Sequence, residues 1–444
     1  MTRYFADLAW LGGAAASAGV LLEVQDGRFV SVRANAEPPP EAVRLRGLTL
    51  PGLANAHSHA FHRALRGRTH RSGGSFWTWR EDMYALAGRL TPDTYYELAR
   101  ATYAEMALAG ITCVGEFHYL HHAPGGRPYA EPNAIGEALV AAADAAGLRI
   151  TLLDACYVAG GFGEPLRGPQ LRFGDGDAEA WGVRAAGLRP APHARTGAAI
   201  HSVRAVPADQ LGVVAAWAAE RDAPLHVHLS EQRAENEACL AAHGCTPAQL
   251  LDDAGALCPR CCAVHATHLG EDDVARLGST RTAICMCPTT ERDLADGIGP
   301  AGALAGAGSP IALGSDSHAV IDPFEEARAL ELDERLASET RGHWPAADLL
   351  RAATADGHAA LGWPEAGRLE PGAPADLVTV GLDSVRLAGA EPATSLEAAV
   401  FAASAADVRE VVVSGRQVVA GGRHALVGDV PGTLSAAIAA AWSD

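Results

Sequence analysis

Pro51-Gly52-Leu53-Ala54-Asn55-Ala56-His57-Ser58-His59 is a short apolar run that ends in two histidines one residue apart. Alternate residues of a strand share a face, so such a run carries both imidazoles to one side of its C-terminal end. Seven further apolar, strand-like runs follow at 111–117, 150–156, 198–201, 224–229, 262–265, 282–287 and 310–314. Helical patterns separate most of them: Thr91-Pro92 reads as an N-cap with proline at the first helical position, and 207–221 as another helix. Eight strands with intervening helices predict an α/β fold, a (β/α)8 TIM-like barrel over residues 51–365. Its working face is the C-terminal end of the strands. The Gly/Pro-rich segment 160–176 reads as a long loop over that face, in the place of a lid.

The polar residues at the strand ends carry the chemistry. His57 and His59 follow the first run, His226 and His228 end the fifth, His265 ends the sixth, and Asp316 follows the eighth. Imidazoles with one carboxylate suit a catalytic divalent ion, zinc, iron or manganese, whose open position lowers the pKa of bound water. A single His-x-His is more often a polar loop or a satisfied core pair. The ordered series at successive strand ends is far harder to obtain by chance. Glu231, three residues after His228, either belongs to that series as His-x-His-x-x-Glu or is the solvated first turn of the next helix, Glu231-Gln232-Arg233.

Outside the barrel, β-rich runs at 21–24 and 29–32 resemble those at 375–380, 409–413 and 417–420. Residues 1–50 and 366–444 are therefore expected to close into one small β-sandwich. The 444 residues are 48% hydrophobic with a formal net charge of −18, which argues against nucleic acid and anionic membrane as partners. All 35 basic residues are arginine. The absence of lysine excludes a Schiff base, a phosphate-binding Gly-Lys-Ser/Thr loop and a carboxylated lysine bridging two metals. No export signal or transmembrane run is legible, and nine cysteines, an odd number, fit reduced thiols in the cytoplasm. Cys258, Cys261 and Cys262, and Cys285 with Cys287, read as buried small side chains rather than a structural zinc site. His118, His121 and His122 are placed outside the metal cluster, since only His118 sits at a strand end.

The opening string 51–59, the Leu313-Gly314-Ser315-Asp316 string and Gly372-Ala373-Pro374-Ala375-Asp376-Leu377-Val378 together resemble the amidohydrolase superfamily over essentially the whole chain. The missing lysine agrees with its one-metal branch. Longer strings are similar to those of formimidoylglutamate deiminases: Ser75-Phe76-Trp77-Thr78-Trp79-Arg80-Glu81, Gly115-Glu116-Phe117-His118-Tyr119, His201-Ser202-Val203-Arg204 and Cys287-Pro288-Thr289-Thr290-Glu291. The resemblance implies hydrolysis of N-formimino-L-glutamate, a small acidic metabolite, by a homodimer. It also implies metal ligands His57, His59, His228 and Asp316, with Glu231, His265 and Asp316 as catalytic groups. Arg80 and Arg204 are then the carboxylate forks, and Tyr119 and His201 the neutral donors. One departure stands out: where the family pattern His-x-His-Ala-Phe-Gln has glutamine, this chain has His62. The alternatives are another N-formimino or guanidino acid, an aromatic or nucleoside ring for which Trp77 and Trp79 speak, and a non-catalytic barrel.

Overall fold

The computed structural model describes residues 1–70 and 74–443. The chain opens with four strands, β1 (Thr2–Ala9), β2 (Ser17–Gln25), β3 (Arg28–Arg33) and β4 (Val43–Pro51). One residue later it enters β5 (Leu53–Ser58), followed by β6 (Ile111–His118), β7 (Arg149–Cys156), β8 (Ala194–Ile200), β9 (Leu225–Leu229), β10 (Cys261–His265), β11 (Ala283–Met286) and β12 (Ile311–Leu313). These eight lie in sequential order in one all-parallel sheet. Apart from the first three residues of β8, every residue of them is buried, which is why they read as unbroken apolar runs rather than alternating ones.

The sheet curls until its edges meet just beyond β12. Ser58 bridges Asp316 in parallel, the Asp316 N–H reaches the His57 carbonyl at 3.0 Å, and the His59 N–H reaches the Asp316 carbonyl at 3.3 Å. Asn55 clamps the same seam, donating to Ser315 Oγ at 2.7 Å and accepting the Ser315 N–H at 2.9 Å. The barrel thus closes where the first histidine pair and the last aspartate stand.

Two helices between β5 and β6 carry side-chain caps. In α1 (Phe76–Ala87) Ser75 and Thr78 form a capping box. In α2 (Pro92–Leu108) the Thr91 side chain takes the Thr94 N–H, with Pro92 at the first position. The other helix expected from the sequence runs Ala208–Glu220.

The last strands, β13 (Leu377–Val380), β14 (Val408–Val413), β15 (Arg416–Ala420) and β16 (Arg423–His424), join the first four in a single mixed sheet ordered β16-β15-β14-β13-β4-β1-β2-β3. The sequence reading passed over β1 and gave no bounds for β4, yet β4 is the hinge of the design. It pairs with β13 and continues into the barrel through Gly52, where a Cβ would lie 2.3 Å from Thr112 Oγ1. A buried ion pair of Arg149 on β7 with Asp376, which in turn accepts the Ser414 N–H at 2.7 Å, fastens this sheet to the barrel floor.

Segment 160–176 lies over the rim as expected, and it also contains a 3-10 turn, Gly168–Arg172. It is pinned in place. Buried Arg172 donates to the carbonyls of His122 (2.8 Å) and Leu90 (2.6 Å), and Asp175 pairs with His122 (2.9 Å) and Arg184 (2.9 Å).

Candidate active site and metal centre

His57 lies on β5, His59 just beyond it, His228 on β9, and Asp316 two residues past Gly314 at the closing seam. One ligand atom from each of the four falls within 4.8 Å of all the others, and all four residues are buried. Asp316 Oδ1 is 3.3 Å from His57 Nε2 and 3.4 Å from His59 Nε2, while His228 Nε2 is 3.1 Å from His57 Nε2. Burial pushes the pKa of all three histidines well down, so they are neutral and carry lone pairs. His59 and His228 donate their Nδ1–H to the carbonyls of Phe117 and His201, each at 2.8 Å, which turns Nε2 inward. Converging lone pairs repel one another unless a cation stands between them, and tetrahedral ligands about 2.0–2.1 Å from zinc are about 3.4 Å apart. The donor set therefore fits one divalent ion.

His226 faces the barrel interior like His228, but two residues along a strand is about 6.6 Å. From that lower level its Nε2 reaches the Ala360 carbonyl at 2.9 Å. The cysteines are free thiols, and none belongs to a potential metal cluster among the described residues. A second group, His118, His121 and Asp154, does come together. Its carboxylate is already taken by the Arg184 fork (2.8 and 2.9 Å) and Trp181 Nε1 (2.8 Å), so the cation of that site is a guanidinium.

Beside the first cluster stand Glu231 and His265. Glu231 precedes the helix Arg233–His243 rather than lying in its first turn, and it is buried. Burial raises its pKa to about 7, opposed by His265 and reinforced by Asp316. For His265, burial alone would lower the pKa, but Glu231, Glu291 and Asp316 outweigh it and raise it to about 10. Its Nε2 is 3.7 Å from Glu231 Oε1 and 3.9 Å from Asp316 Oδ2. Ser230, His265, Ala266, Asp316 and His318 all adopt positive φ without being glycine. Such strain gathered at the ends of β9, β10 and β12 marks a site whose surroundings hold the backbone in place.

These groups open onto one shared pocket lined by polar and aromatic side chains. His62, Arg80, Tyr119, His201 and Arg204 all line it. His62 Nε2 meets the Tyr119 hydroxyl at 3.0 Å, while its buried Nδ1 has no partner among the described residues. Arg80 uses its Nε–H on Tyr84 (2.6 Å) and Arg204 its Nε–H on Glu235 (2.6 Å), and among the described residues the outer edge of each fork has no hydrogen-bond partner. Trp79, Tyr84, Tyr157 and Phe173 complete the wall, whereas Trp77 is half exposed and lies outside the pocket lining. Tyr84, Tyr157 and Phe173 escaped the sequence reading because no motif contains them.

A supporting layer lies beneath. Ser58 Oγ donates to Glu116 (2.7 Å) and meets His318 Nε2 (3.1 Å), Ser315 Oγ meets His318 Nδ1 (3.0 Å), and Glu116 also accepts the Ala60 N–H (2.7 Å). Burial raises the Glu116 pKa to about 7. Glu116 and Glu291 both fall within the strings quoted above, and His318 two residues after Asp316, so the signal existed but gave no role.

Comparison with known proteins agrees with this arrangement. The model of the amidohydrolase family matches residues 48–418. The chain is 40% identical over 414 residues to a formimidoylglutamate deiminase of Pseudomonas aeruginosa, an alignment covering 90% of each. It is 30% identical over 398 residues to an 8-oxoguanine deaminase of the same species, covering 84% of this chain and 85% of that one. Among solved structures, an amidohydrolase from Brucella melitensis superposes with a TM-score of 0.93 at 34% identity, covering all of both chains.

Proposed function

The chain belongs to the amidohydrolase family and is a hydrolase of carbon–nitrogen bonds, and from that premise we propose that it converts N-formimino-L-glutamate to N-formyl-L-glutamate and ammonia, a step of histidine breakdown. The observation that carries this reading is a buried carboxyl, Glu231, in one pocket with two arginines whose outer edges have no partner among the described residues; burial raises the Glu231 pKa to about 7. A dicarboxylic substrate needs both cations, and an amidine carbon needs a proton on its departing nitrogen.

His57, His59, His228 and Asp316 would hold one divalent ion; their nitrogen and oxygen donors suit zinc, iron or manganese, and zinc is the ion we assign. Bound there, it supplies Lewis acidity and makes hydroxide accessible near neutral pH. Arg80 and Arg204 fix the two carboxylates, and Tyr119, His201 and His62 hydrogen-bond the chain between them and the reacting carbon. Glu231 delivers a proton to the imino nitrogen as the tetrahedral centre forms and takes the hydroxyl proton of that centre as it collapses to the formyl group. His265 Nε2 orients the attacking water, whose proton goes to Asp316 and then to the leaving ammonia. His62 replaces an amide with an imidazole that still donates and accepts, so it serves the same substrate. The protein acts as a cytoplasmic homodimer, a reading supported by the resemblance and the nine free cysteines; no helix among the described residues is long and apolar enough to cross a membrane.

The aromatic wall of Trp79, Tyr119 and Phe173 favours a second reading, a flat heterocyclic amine. The test is ammonia release by zinc-loaded protein from N-formimino-L-glutamate and, separately, from aminated purines, with Asp316→Asn alongside. Rapid release from the formimino acid, abolished in the variant, is expected. Release from purines alone would overturn the substrate assignment.

A further inference from the structure

His265 has two ring nitrogens, and only Nε2 faces the reacting centre. The other, Nδ1, is 3.4 Å from Glu291 Oε1. Glu291 is buried in the short helix Pro288–Asp293, which opens directly after β11. The same Oε1 takes the Cys287 N–H at 2.8 Å, so the carboxylate is anchored to the barrel backbone. Its helix is bolted to the segment that carries Asp316: Thr290 Oγ1 accepts the Ser317 N–H at 3.1 Å and meets Ser317 Oγ at 3.0 Å. On the other side, the strained turn of His265 and Ala266 is held by the Ala266 N–H on the Leu229 carbonyl at 3.0 Å.

We propose that Glu291 is the positioning residue of His265, fixing its ring orientation and keeping a proton on Nδ1 so that exchange with water and substrate happens only at Nε2. A carboxylate accepts and never donates. The Nδ1 position opposite it must therefore carry hydrogen whether the ring is neutral or charged. His265 is 1% exposed, so without Glu291 no solvent is at hand to satisfy an Nδ1–H. The ring would then shed its Nδ1 hydrogen, and its Nε2 edge would no longer be aimed at the water. Oε1 also receives a backbone N–H, so Glu291→Gln must place its carbonyl oxygen there; it keeps the tautomer and loses only the charge. The inference rests on the reading of His265 as the water-orienting group.

Its test separates the two. Nitrogen-15 histidine spectra of metal-replete protein, with the His265 signals identified by their absence in His265→Gln, report the tautomer without any substrate. Nδ1–H is expected in the wild type and in Glu291→Gln, and Nε2–H in Glu291→Leu; should the leucine variant not fold, Glu291→Asp, which withdraws the carboxylate by one methylene, is read in its place. Steady-state kinetics on whichever substrate is turned over should show kcat down about 10–100-fold in the leucine variant with KM changed less than about threefold, and recovery toward wild type in Glu291→Gln. An Nδ1–H that survives loss of the carboxylate, or a kcat unchanged per metal-loaded site, overturns the proposal. A protein inert toward N-formimino-L-glutamate but with the expected spectra would overturn the substrate assignment alone.

Discussion

Gly314→Ala gives the sharpest test of how the metal cluster is held. A Cβ at Gly314 would lie 2.7 Å from His57 Cβ and 3.0 Å from the Sγ atoms of both Cys285 and Cys287. Ordinary contact begins at 3.4 Å, so the methyl group and His57 must separate by about 0.7 Å. The two thiols sit on or beside β11 and leave no room on the other side. His57 belongs to a fully buried strand, so the relief is taken up by its imidazole and by β5. Metal sites tolerate ligand displacements of only about 0.2 Å. Overpacking costs about 1–3 kcal/mol, and we expect zinc affinity to fall about 10–100-fold, or about 1.4–2.7 kcal/mol. Chelator competition with a chromogenic zinc indicator measures the affinity, and melting with and without zinc separates it from stability. Gly197→Ala is the control. Its Cβ meets Leu153 Cδ2 at 2.7 Å and Pro224 Cγ at 3.0 Å, away from the ligands. It should lower the melting temperature and leave the zinc affinity alone. Wild-type zinc affinity in Gly314→Ala, with the protein folded, would refute the claim that this face positions His57.

The two histidines of β9 should behave oppositely: His228→Asn loses bound zinc, while His226→Asn keeps it and loses about 1 kcal/mol of stability with the Ala360 carbonyl bond, as metal analysis and urea unfolding would report. Arg184 lowers the Asp154 pKa to about 2 against an ordinary 3.8, despite burial. A depressed carboxylate stabilises above its unfolded pKa, so apo protein should lose about 2 kcal/mol between pH 4 and pH 2 that Asp154→Asn does not lose; equal slopes of the urea midpoint with pH would count against the pair. Arg80→Met should lower kcat/KM for a dicarboxylic substrate about 10–100-fold, carried by KM, with metal content unchanged; an effect confined to kcat would remove Arg80 from the carboxylate site.

How much of this was legible without the fold differs from residue to residue, for a physical reason. The barrel could be read because a strand buried on both faces must be continuously apolar, and eight such runs leave few other architectures. His57, His59, His228, His265 and Asp316 could be picked out because imidazoles and a carboxylate that end apolar runs must all emerge at one rim. The capped start of α2 is an equally local fact. What the sequence could not decide was height and partnership. His226 and His228 are equivalent by periodicity; the resemblance names His228, and the level of the β9 end relative to the closing seam supplies the physical reason, giving His228 to the metal cluster and His226 to Ala360. Arg184 with Asp154, Ser58 with His318, and His265 with Glu291 are separated by 30, 260 and 26 residues. The first and last form because neighbouring strands and helices pack side by side, the second only because the sheet closes on itself, and neither packing nor closure is encoded in a local stretch.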